Sequence, residues 1–462
     1  MQKISRALIS VSDKEGILDL ARALHSHGVE IIASDGTAEY LRRNLIEVRT
    51  VSELTGAPEL LGGKVKTLHP AIHAAILANR EDQSEMSSLG DTAPIDAVIV
   101  NLYPKPGFDI GGPTLIRAAA KNADYVSVIT SPHQYQTFID LLPNGITSEH
   151  RQQWAHQALV MTAEYDLALA ADRGKKLRYG ENPHQSASLL VGVANTGVAA
   201  ARIIQGKEMS FNNYLDLDAA WTIAKDHLNS AIIVKHGIPT GVACSQNSHD
   251  SYIRAIASDP VSAFGGVVAF NCEVDARTAE EIIGRFTEVV AAPVFSEEAL
   301  EIFSRKPNIR IVVIARNTQP SWEIASIDGG FLAQEEDLFI NDRDGASSWK
   351  LVAGDPVTPE LIADLEFAWK VVARTRSNSI VIARSGATIG IGAGNVNRLD
   401  AALTAVQRAQ SHQPALLKGS VSASDAFFPF PDGLQVLIDA GVSAVVQPGG
   451  SVNDEAVIAA AK

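Results

Sequence analysis

The side chains best suited to chemistry in this chain are a lysine and a histidine in direct succession, Lys235 and His236, at the end of an apolar run. The run, residues 231–234, predicts a buried strand of the parallel type, and the glycines and proline of residues 237–241 predict a turn. A cation and an imidazole at a strand exit can orient an anion and transfer a proton near neutral pH. The local sequence leaves open an alternative, a solvent-facing lysine beside a hydrogen-bonded core histidine.

Three other segments concentrate functional side chains. Residues 64–73 hold two lysines and two histidines, whose positive charges would repel one another unless anions or carboxylates are present. Residues 178–185 combine Arg, Tyr, Asn and His. A solvated turn would explain the charges of this segment, but it explains the presence of Tyr, Asn and His together less easily. Residues 424–430 place one carboxylate beside three phenylalanines, a combination that favours a slot for a flat heterocycle, although a core strand accounts for part of it.

The elements that position these side chains follow from the hydrophobic periodicity. Up to about residue 142 the pattern alternates strand and helix, which predicts a parallel, Rossmann-like sheet. Its first two strands end in hydroxyl and glycine residues whose backbone N–H groups can bind phosphate, although helix capping explains them too; Ser12 and Glu15 have capping-box spacing. A long helix over residues 150–171 and a polar linker over 172–176 follow.

Two later units each mix strands with helices, which suggests a duplicated fold without a sequence repeat strong enough to prove it. In the second of them, two short strands flank Ser385-Gly386 as a hairpin. The glycines of residues 390–394 lack the spacing of a dinucleotide-binding fingerprint, so they predict close backbone packing instead.

Composition narrows the possible functions. A chain of 462 residues has room for two to four domains, and its net charge of −14 argues against broad binding to nucleic acid or to a membrane surface. Two cysteines exclude a disulfide framework and a multi-cysteine zinc site. The N-terminus shows no signal-peptide core and no run reaches transmembrane length, so a cytoplasmic enzyme or binding protein is expected.

Ten stretches together resemble one family, the bifunctional enzymes of purine biosynthesis. Four resemble its inosine monophosphate cyclohydrolase domain: ALISVSDKEGI (7–17), GGKVKTLHPAIH (62–73), VNLYP (100–104) and DIGGPTLIRAAAKN (109–122). Six resemble its aminoimidazole carboxamide ribonucleotide (AICAR) transformylase domain: LRYGENPHQ (177–185), VKHGIPTGVA (234–243), SAFGG (262–266), SNSIVIA (377–383), IGIGAG (389–394) and SDAFFPF (424–430).

The resemblance implies an α/β fold in three parts. A methylglyoxal synthase-like parallel-sheet domain with cyclohydrolase activity would span residues 1–174, followed by two cytidine deaminase-like transformylase subdomains over 175–345 and 346–462. It further implies a homodimer with transformylase sites across its interface, 10-formyltetrahydrofolate as co-substrate, and purine-nucleotide intermediates as the other ligands. Neither a metal nor a tightly bound cofactor is implied.

The resemblance also assigns residues. For formyl transfer it implies His236 as proton acceptor and Lys235 as stabiliser of charge, and it implies a binding set for nucleotide and folate: Arg178, Tyr179, Phe264, Asn378, Arg398, Asp425 and Phe428. For cyclisation it implies four residues that polarise the formyl oxygen and move protons: Lys66, Tyr103, Asp109 and Lys121. The phosphate would be held by Ser10, Lys14, Ser34, Gly36, Thr37 and Thr67.

Four departures from the family pattern are visible. The loop from Pro104 to Asp109 is short, Asp35 replaces a small neutral residue, Ile238 and Thr240 replace Asn and Cys, and the chain stops at Lys462, before the family's Arg- and His-bearing tail. Two alternatives therefore remain beside the bifunctional enzyme. One is an enzyme that retains a single activity, and the other is a non-catalytic purine-nucleotide-binding protein.

Overall fold

The structure is a computed structural model, and it describes residues 1–57, 61–63, 65–90, 92–103, 107–193, 196–315 and 322–462. The chain divides into two compact units, Met1–Arg173 and Gly174–Lys462. Lys64 of the basic segment and Pro104 of the short loop lie outside the described residues, as do residues 105 and 106.

The first unit is built on a parallel sheet with strand order β3-β2-β1-β4-β5. Apart from the short edge strand β3, its strands are mostly apolar and buried, as expected for a sheet covered by helices on both faces. In chain order its elements are β1 (Arg6–Val11), α1 (Ile17–Ser26), β2 (Glu30–Ala33), α2 (Asp35–Arg43), β3 (Arg49–Thr50), α3 (Val51–Thr55), α4 (Pro70–Leu77), α5 (Gln83–Ser88), β4 (Ala97–Asn101), α6 (Gly111–Lys121), β5 (Ser127–Ile129), α7 (Tyr135–Leu141) and α8 (Ser148–Arg173).

The second unit is built on a mixed sheet with order β21-β20-β18-β19-β10-β9-β11-β13-β15-β8. Its strands are β6 (Lys175–Leu177), β7 (Ala187–Leu189), β8 (Arg202–Gln205), β9 (Ser230–Lys235), β10 (Ile238–Cys244), β11 (Val267–Phe270), β12 (Glu273–Val274), β13 (Val289–Ala292), β14 (Val294–Phe295), β15 (Arg310–Val313), β16 (Trp322–Ile327), β17 (Gly330–Glu335), β18 (Ile380–Arg384), β19 (Ala387–Gly392), β20 (Val421–Ser424) and β21 (Ala444–Val446). Its helices are α9 (Phe211–Lys225), α10 (Ser248–Ser258), α11 (Ala276–Ile283), α12 (Glu297–Ser304), α13 (Asn341–Asp344), α14 (Pro359–Ala373), α15 (Arg398–His412), α16 (Pro414–Leu417), α17 (Pro431–Asp439) and α18 (Asp454–Ala461).

This sheet contains the same arrangement twice. The series α9-β9-β10-α10-β11 recurs as α14-β18-β19-α15-β20, and the two copies meet where β10 and β19 pair in antiparallel fashion through Ala243 and Ala387. Even the caps repeat, because Asn247 and Asn397 each accept a hydrogen bond from the backbone N–H three residues later. The duplicated fold that the sequence only suggested is therefore confirmed.

Glycines allow the helices of both copies to rest directly on their strands. A Cβ added at Gly241 would fall on the carbonyl oxygen of Ala255 in α10, and one at Gly392 on that of Ala401 in α15. Such contacts leave no room for any side chain. The prediction that the glycines of residues 390–394 serve close backbone packing is confirmed at Gly392.

Four predictions about local structure were wrong or incomplete. Strand β9 pairs in antiparallel fashion with both neighbours, not in parallel. Its continuous apolar run reflects burial on both faces, since Ile232 packs in the core cluster that includes α9 and Ile233 in the cluster that includes α10. The predicted turn over residues 237–241 is confined to His236 and Gly237, and Pro239 and Gly241 belong to β10.

The other two errors concern helix ends. Ser12 does not cap α1, because its backbone N–H and hydroxyl bond to the side chain of Asn101, and the N-cap of α1 is Gly16. The predicted polar linker over residues 172–176 is occupied by the end of α8 and the start of β6. Within the described ranges, no helix has the length and apolarity needed to cross a membrane.

Candidate functional site

Lys235 and His236 lie at the tip of the β9–β10 hairpin. His236 and Gly237 form its two-residue loop with φ values of 55° and 72°, the left-handed pair that tight hairpins with right-handed strand twist require. Both loop residues are exposed, and Lys235 is half-buried. The backbone N–H of Gly237 donates a 2.7 Å hydrogen bond to Oδ1 of Asp216, which projects from α9. The hairpin therefore presents the imidazole at the surface of the second unit.

Lys235 connects this hairpin to the loop before β11. Its Nζ donates a 2.8 Å hydrogen bond to the carbonyl oxygen of Phe264. The Phe264 ring is exposed and packs against Phe286 with a centroid distance of 5.2 Å. The structure thus connects Lys235, at the base of the loop that carries His236, to the backbone of Phe264. The alternative of a buried, hydrogen-bonded core histidine is wrong for His236.

Arg178 and Tyr179 lie in the segment that opens the second unit. The guanidinium group of Arg178 stacks over the Tyr179 ring at 5.4 Å from its centroid. Asn212, at the start of α9, donates a 3.5 Å hydrogen bond to the carbonyl oxygen of Glu181 and so connects this segment to the helix that carries Asp216. Arg178 has no ion pair with an acidic side chain among the described residues, so its charge is available to an anionic ligand.

Arg398 and Asp425 of the predicted binding set pair with each other. Arg398 is 5% exposed, and its guanidinium group forms an ion pair with Asp425 and donates a 3.0 Å hydrogen bond to the carbonyl oxygen of Ser379. The Asp425 carboxylate also accepts a 2.8 Å bond from the Ser379 N–H. Arg398 and Asp425 therefore neutralise each other inside the unit, and their membership of the predicted binding set stays a prediction. Asn378 is bonded nearby through its side-chain amide, which donates to Asn395 at 3.0 Å.

Phe428 of the predicted binding set lies in the core of the unit. Its ring is 1% exposed and packs in the core beneath α15 and α17, whereas Phe427 is 41% exposed. Phe430 and Asp432 are exposed as well. Of the three rings in the predicted slot, Phe427 and Phe430 are therefore the exposed ones, and Asp432 is an exposed carboxylate nearby that sequence reasoning missed. The alternation of inward and outward rings after a strand was the available signal.

In the first unit, the residues predicted to hold phosphate converge where β1 ends and α2 begins. Nζ of Lys14 donates to the carbonyl oxygen of Val11 and, at 3.2 Å, to Oγ1 of Thr37. The hydroxyl of Ser34 donates to the same Thr37 oxygen at 3.4 Å. Burial lowers the pKa of Lys14, and the nearby Asp13 opposes that shift. Gly36 faces open space, so a ligand can approach its backbone closely.

The remaining two members of the predicted phosphate set lie beside this cluster. Ser10 is half-buried on β1, one residue before Val11. Thr67 is buried in a short 3-10 helix, and its hydroxyl fills the space that a Cβ at Gly111 would need. Thr67 therefore lies against the start of α6.

Lys66 forms an ion pair with Asp35, whose Oδ2 lies 2.9 Å from its Nζ. Both side chains are largely buried, with 18% and 33% of their surfaces exposed. Asp35 is the first residue of α2, and its neighbours in sequence, Ser34 and Gly36, belong to the predicted phosphate site. The structure thus places a negative charge among groups predicted to bind an anion, compensated by the predicted catalytic lysine.

Asp109 organises the entry to α6. Its Oδ1 accepts a 2.8 Å hydrogen bond from the N–H of Gly112, Oδ2 accepts a 3.4 Å bond from the N–H of Tyr103, and its own N–H donates to the hydroxyl of Tyr165 at 2.8 Å. Tyr103 keeps its ring exposed. Lys121 ends α6, and a rise of about 1.5 Å per residue puts it roughly 15 Å from the start of that helix. The role of Lys121 beside the other three residues therefore stays a prediction.

Over the part of the chain that the structure describes, no group of three or more His, Cys, Asp or Glu side chains could hold a metal ion. The two groups of side chains instead combine lysine, imidazole, hydroxyl and carboxylate groups. That set suits proton transfer and the binding of anionic substrates.

Comparison with known proteins now identifies relatives. A sequence model of the AICARFT/IMPCHase bienzyme matches residues 119–408, and one of the MGS-like domain matches residues 16–126. The chain is 45% identical to the bifunctional purine biosynthesis protein PurH of Corynebacterium glutamicum, over 99% of this chain and 95% of that one. It is 44% identical to PurH of Aquifex aeolicus, over 98% and 96%. A crystal structure of ForH matches with 34% identity and a TM-score of 0.34, covering 36% of this chain and 98% of its own.

Proposed function

Because the chain belongs to the AICARFT/IMPCHase bienzyme family, we propose that its two reactions are carried by two separate groups of side chains, one in each compact unit. The chain catalyses the last two steps of de novo purine biosynthesis. It transfers a formyl group from a formyltetrahydrofolate to AICAR, and it closes the formylated product to inosine monophosphate with loss of water. The N-terminal unit is a methylglyoxal synthase-like domain.

The proposed site of formyl transfer is the tip of the β9–β10 hairpin. The aromatic amine of AICAR is a weak nucleophile, so His236 removes its proton as the nitrogen attacks the formyl carbon of 10-formyltetrahydrofolate. Lys235 stabilises the oxyanion of the tetrahedral intermediate. The intermediate then collapses, the bond to the folate nitrogen breaks, and that nitrogen takes a proton. Exposure of His236 beside the half-buried Lys235 is the observation that carries this assignment.

The proposed cyclohydrolase site lies at the end of β1 and at the starts of α2 and α6. Cyclisation joins two groups of one molecule, so much of its acceleration comes from orientation. Lys66 polarises the formyl oxygen as the carboxamide nitrogen attacks, and Tyr103 and Asp109 move the protons that leave with water. The phosphate is held by Ser10, Lys14, Ser34, Gly36, Thr37 and Thr67. Lys121, the last residue of α6, is proposed as the fourth member of this set.

An absorbance assay of the purified protein tests both assignments. With AICAR and 10-formyltetrahydrofolate, we expect tetrahydrofolate and inosine monophosphate to form together. Cyclisation of added formyl-AICAR without any formyl transfer would support the single-activity alternative. Absence of turnover on both substrates, with the nucleotides still bound in calorimetry, would support the non-catalytic alternative.

Substitution of Asp35 by asparagine is expected to lower the KM of cyclisation. The carboxylate adds a negative charge to a site that binds a phosphate, and removing a repulsion of about 1 kcal/mol lowers the KM about fivefold. The measurement is steady-state cyclisation of formyl-AICAR, and raising the ionic strength should shrink the difference. Glu39→Gln is the matched control, because Glu39 lies on the same helix but pairs with Arg43 at the surface. An unchanged KM in Asp35→Asn would show that the Asp35 carboxylate does not repel the phosphate of the substrate.

The proposed homodimer is supported by the β16–β17 hairpin. Both faces of this two-stranded sheet are exposed, and Ile324 is 68% exposed, as are large parts of Trp322 and Leu332. An isolated hairpin is marginally stable in water, so apolar side chains on it favour burial against a second copy.

Substitution of Ile324 by aspartate is therefore expected to shift the protein from dimer to monomer. Because the transformylase sites are proposed to form across the interface, formyl transfer should fall at least tenfold while cyclisation persists. Light scattering after size-exclusion chromatography gives the mass, and separate assays give the two rates. Ala325→Asp adds the same charge on the same strand but on the opposite face, because successive side chains of a strand alternate. A dimer that persists in Ile324→Asp would exclude this hairpin from the interface.

We further propose a cytoplasmic location, 10-formyltetrahydrofolate as a dissociable co-substrate with no tightly bound cofactor, and no nucleic-acid or membrane partner, in keeping with the net charge of −14. The proposed domains are residues 1–174, 175–345 and 346–462. The cytidine deaminase-like assignment of the two later subdomains stays a prediction.

A further inference from the structure

The catalytic hairpin depends on an unusual backbone conformation. His236 has a φ of 55°, and residues with a Cβ rarely adopt this left-handed region because the Cβ approaches the following carbonyl. Since the direction of the imidazole is set by its backbone, any relaxation of the loop would turn the side chain away. The loop is also exposed, so packing alone does not fix it.

A carboxylate on a neighbouring helix holds this loop. Oδ1 of Asp216 accepts the N–H of Gly237 at 2.7 Å, and a hydrogen bond to an ionised acceptor is stronger than one between neutral groups. Helix α9 gives that carboxylate a fixed position, because it buries Leu217 and Trp221 in the core and begins with a capping box at Ser210.

The second copy of the fold contains the same device. There the hairpin loop is Ser385-Gly386, with φ values of 52° and 72°. Asp364 of α14 accepts both of its N–H groups, each at 2.7 Å. Asp216 and Asp364 occupy corresponding positions, the sixth residue of α9 and of α14. An aspartate therefore accompanies this loop conformation in both copies of the fold. Only the loop of the first copy carries an imidazole.

We propose that Asp216 is a positioning residue for formyl transfer: it holds the His236-Gly237 loop and thereby aims the imidazole at the amine of the substrate. This inference rests on the proposed role of His236. Asp216 acts through the backbone and does not touch the substrate. Its loss therefore lowers the kcat of transfer while the KM for both substrates stays near the parental value.

The test compares Asp216→Ala with Asp216→Asn in formyl transfer by the full chain. Misplacement of a catalytic group by about 1 Å costs up to a hundredfold, so Asp216→Ala should lose between ten- and a hundredfold in kcat. Asparagine retains an acceptor oxygen at the same place, so Asp216→Asn should recover most of that rate. Cyclisation serves as an internal control, and Asp218→Ala is the matched control two residues further along α9.

Hydrogen exchange separates failure of this inference from failure of the proposed function. The Gly237 amide should lose protection in Asp216→Ala and keep it in Asp216→Asn, whatever the activity. Parental kcat in Asp216→Ala, equal losses in the two variants, or unchanged exchange in Asp216→Ala would each overturn the inference. Absence of transfer in the parent protein with the expected exchange pattern would overturn the function and leave the role of Asp216 in the loop intact.

Discussion

Replacement of His236 by alanine is expected to reduce the kcat of formyl transfer by about 10² to 10⁴, the usual contribution of a positioned acid–base group. The imidazole lies at an exposed hairpin tip beside the ammonium group of Lys235, so its removal leaves substrate binding and folding largely unaffected. The KM values for AICAR and 10-formyltetrahydrofolate should therefore change little. Single-turnover and steady-state measurements of tetrahydrofolate release check both parts of this expectation.

Two controls make the result specific. His249→Ala removes another imidazole of the same unit, one that is bonded to Asp250 on α10, and it should leave transfer near the parental rate. Cyclisation of formyl-AICAR by His236→Ala should also persist, because that site belongs to the other compact unit. A His236→Ala enzyme that transfers formyl groups at more than a tenth of the parental rate would show that another group accepts the proton.

Replacement of Gly392 by alanine is expected to destabilise the second unit by about 3 kcal/mol, the upper part of the range for overpacking. The added methyl group would fall on the carbonyl oxygen of Ala401 and within 3.0 Å of the backbone nitrogen of Ala405, so α15 would have to move off β19. For a unit of this size, each kcal/mol lowers the Tm by about 2–4 °C, which predicts a fall of roughly 6–12 °C in thermal unfolding.

Gly192→Ala provides the comparison, because a Cβ at Gly192 meets no atom within 4 Å. Its Tm should stay close to the parental value. A Gly392→Ala protein that melts with its parent would mean that α15 accommodates the methyl group by a small shift, and that the close contact of helix and strand contributes little to stability.

The local elements could largely be predicted from the sequence, because most of them carry a clear hydrophobic period. The predicted helix over residues 150–171 lies within α8, and the predicted hairpin around Ser385-Gly386 is present. The direction of β9 could not be predicted in this way. A strand buried on both faces is continuously apolar whether its neighbours run parallel or antiparallel to it. Its own residues therefore do not reveal its direction relative to those neighbours.

The site was predicted less completely than the fold, for a physical reason. Motifs identify chemical types, whereas exposure and pairing depend on contacts distant in sequence. Arg398 and Asp425 neutralise each other across 27 positions, and Lys66 pairs with Asp35 across 31. Phe427 and Phe428 differ only in the side of the chain on which they lie, yet one is available to a ligand and the other is buried.

The junction between β10 and β19 has a consequence for synthesis on the ribosome. About 140 residues separate the end of β10 from the start of β19. At a synthesis rate of about 5–20 residues per second, the edge of β10 therefore stays unpaired for roughly 7–30 s before β19 is made. During that time the nascent chain presents an unpaired strand, the kind of edge that recruits other chains. We therefore expect the yield of folded protein to depend on chaperones that shield nascent chains, and fragments that end before β19 to aggregate.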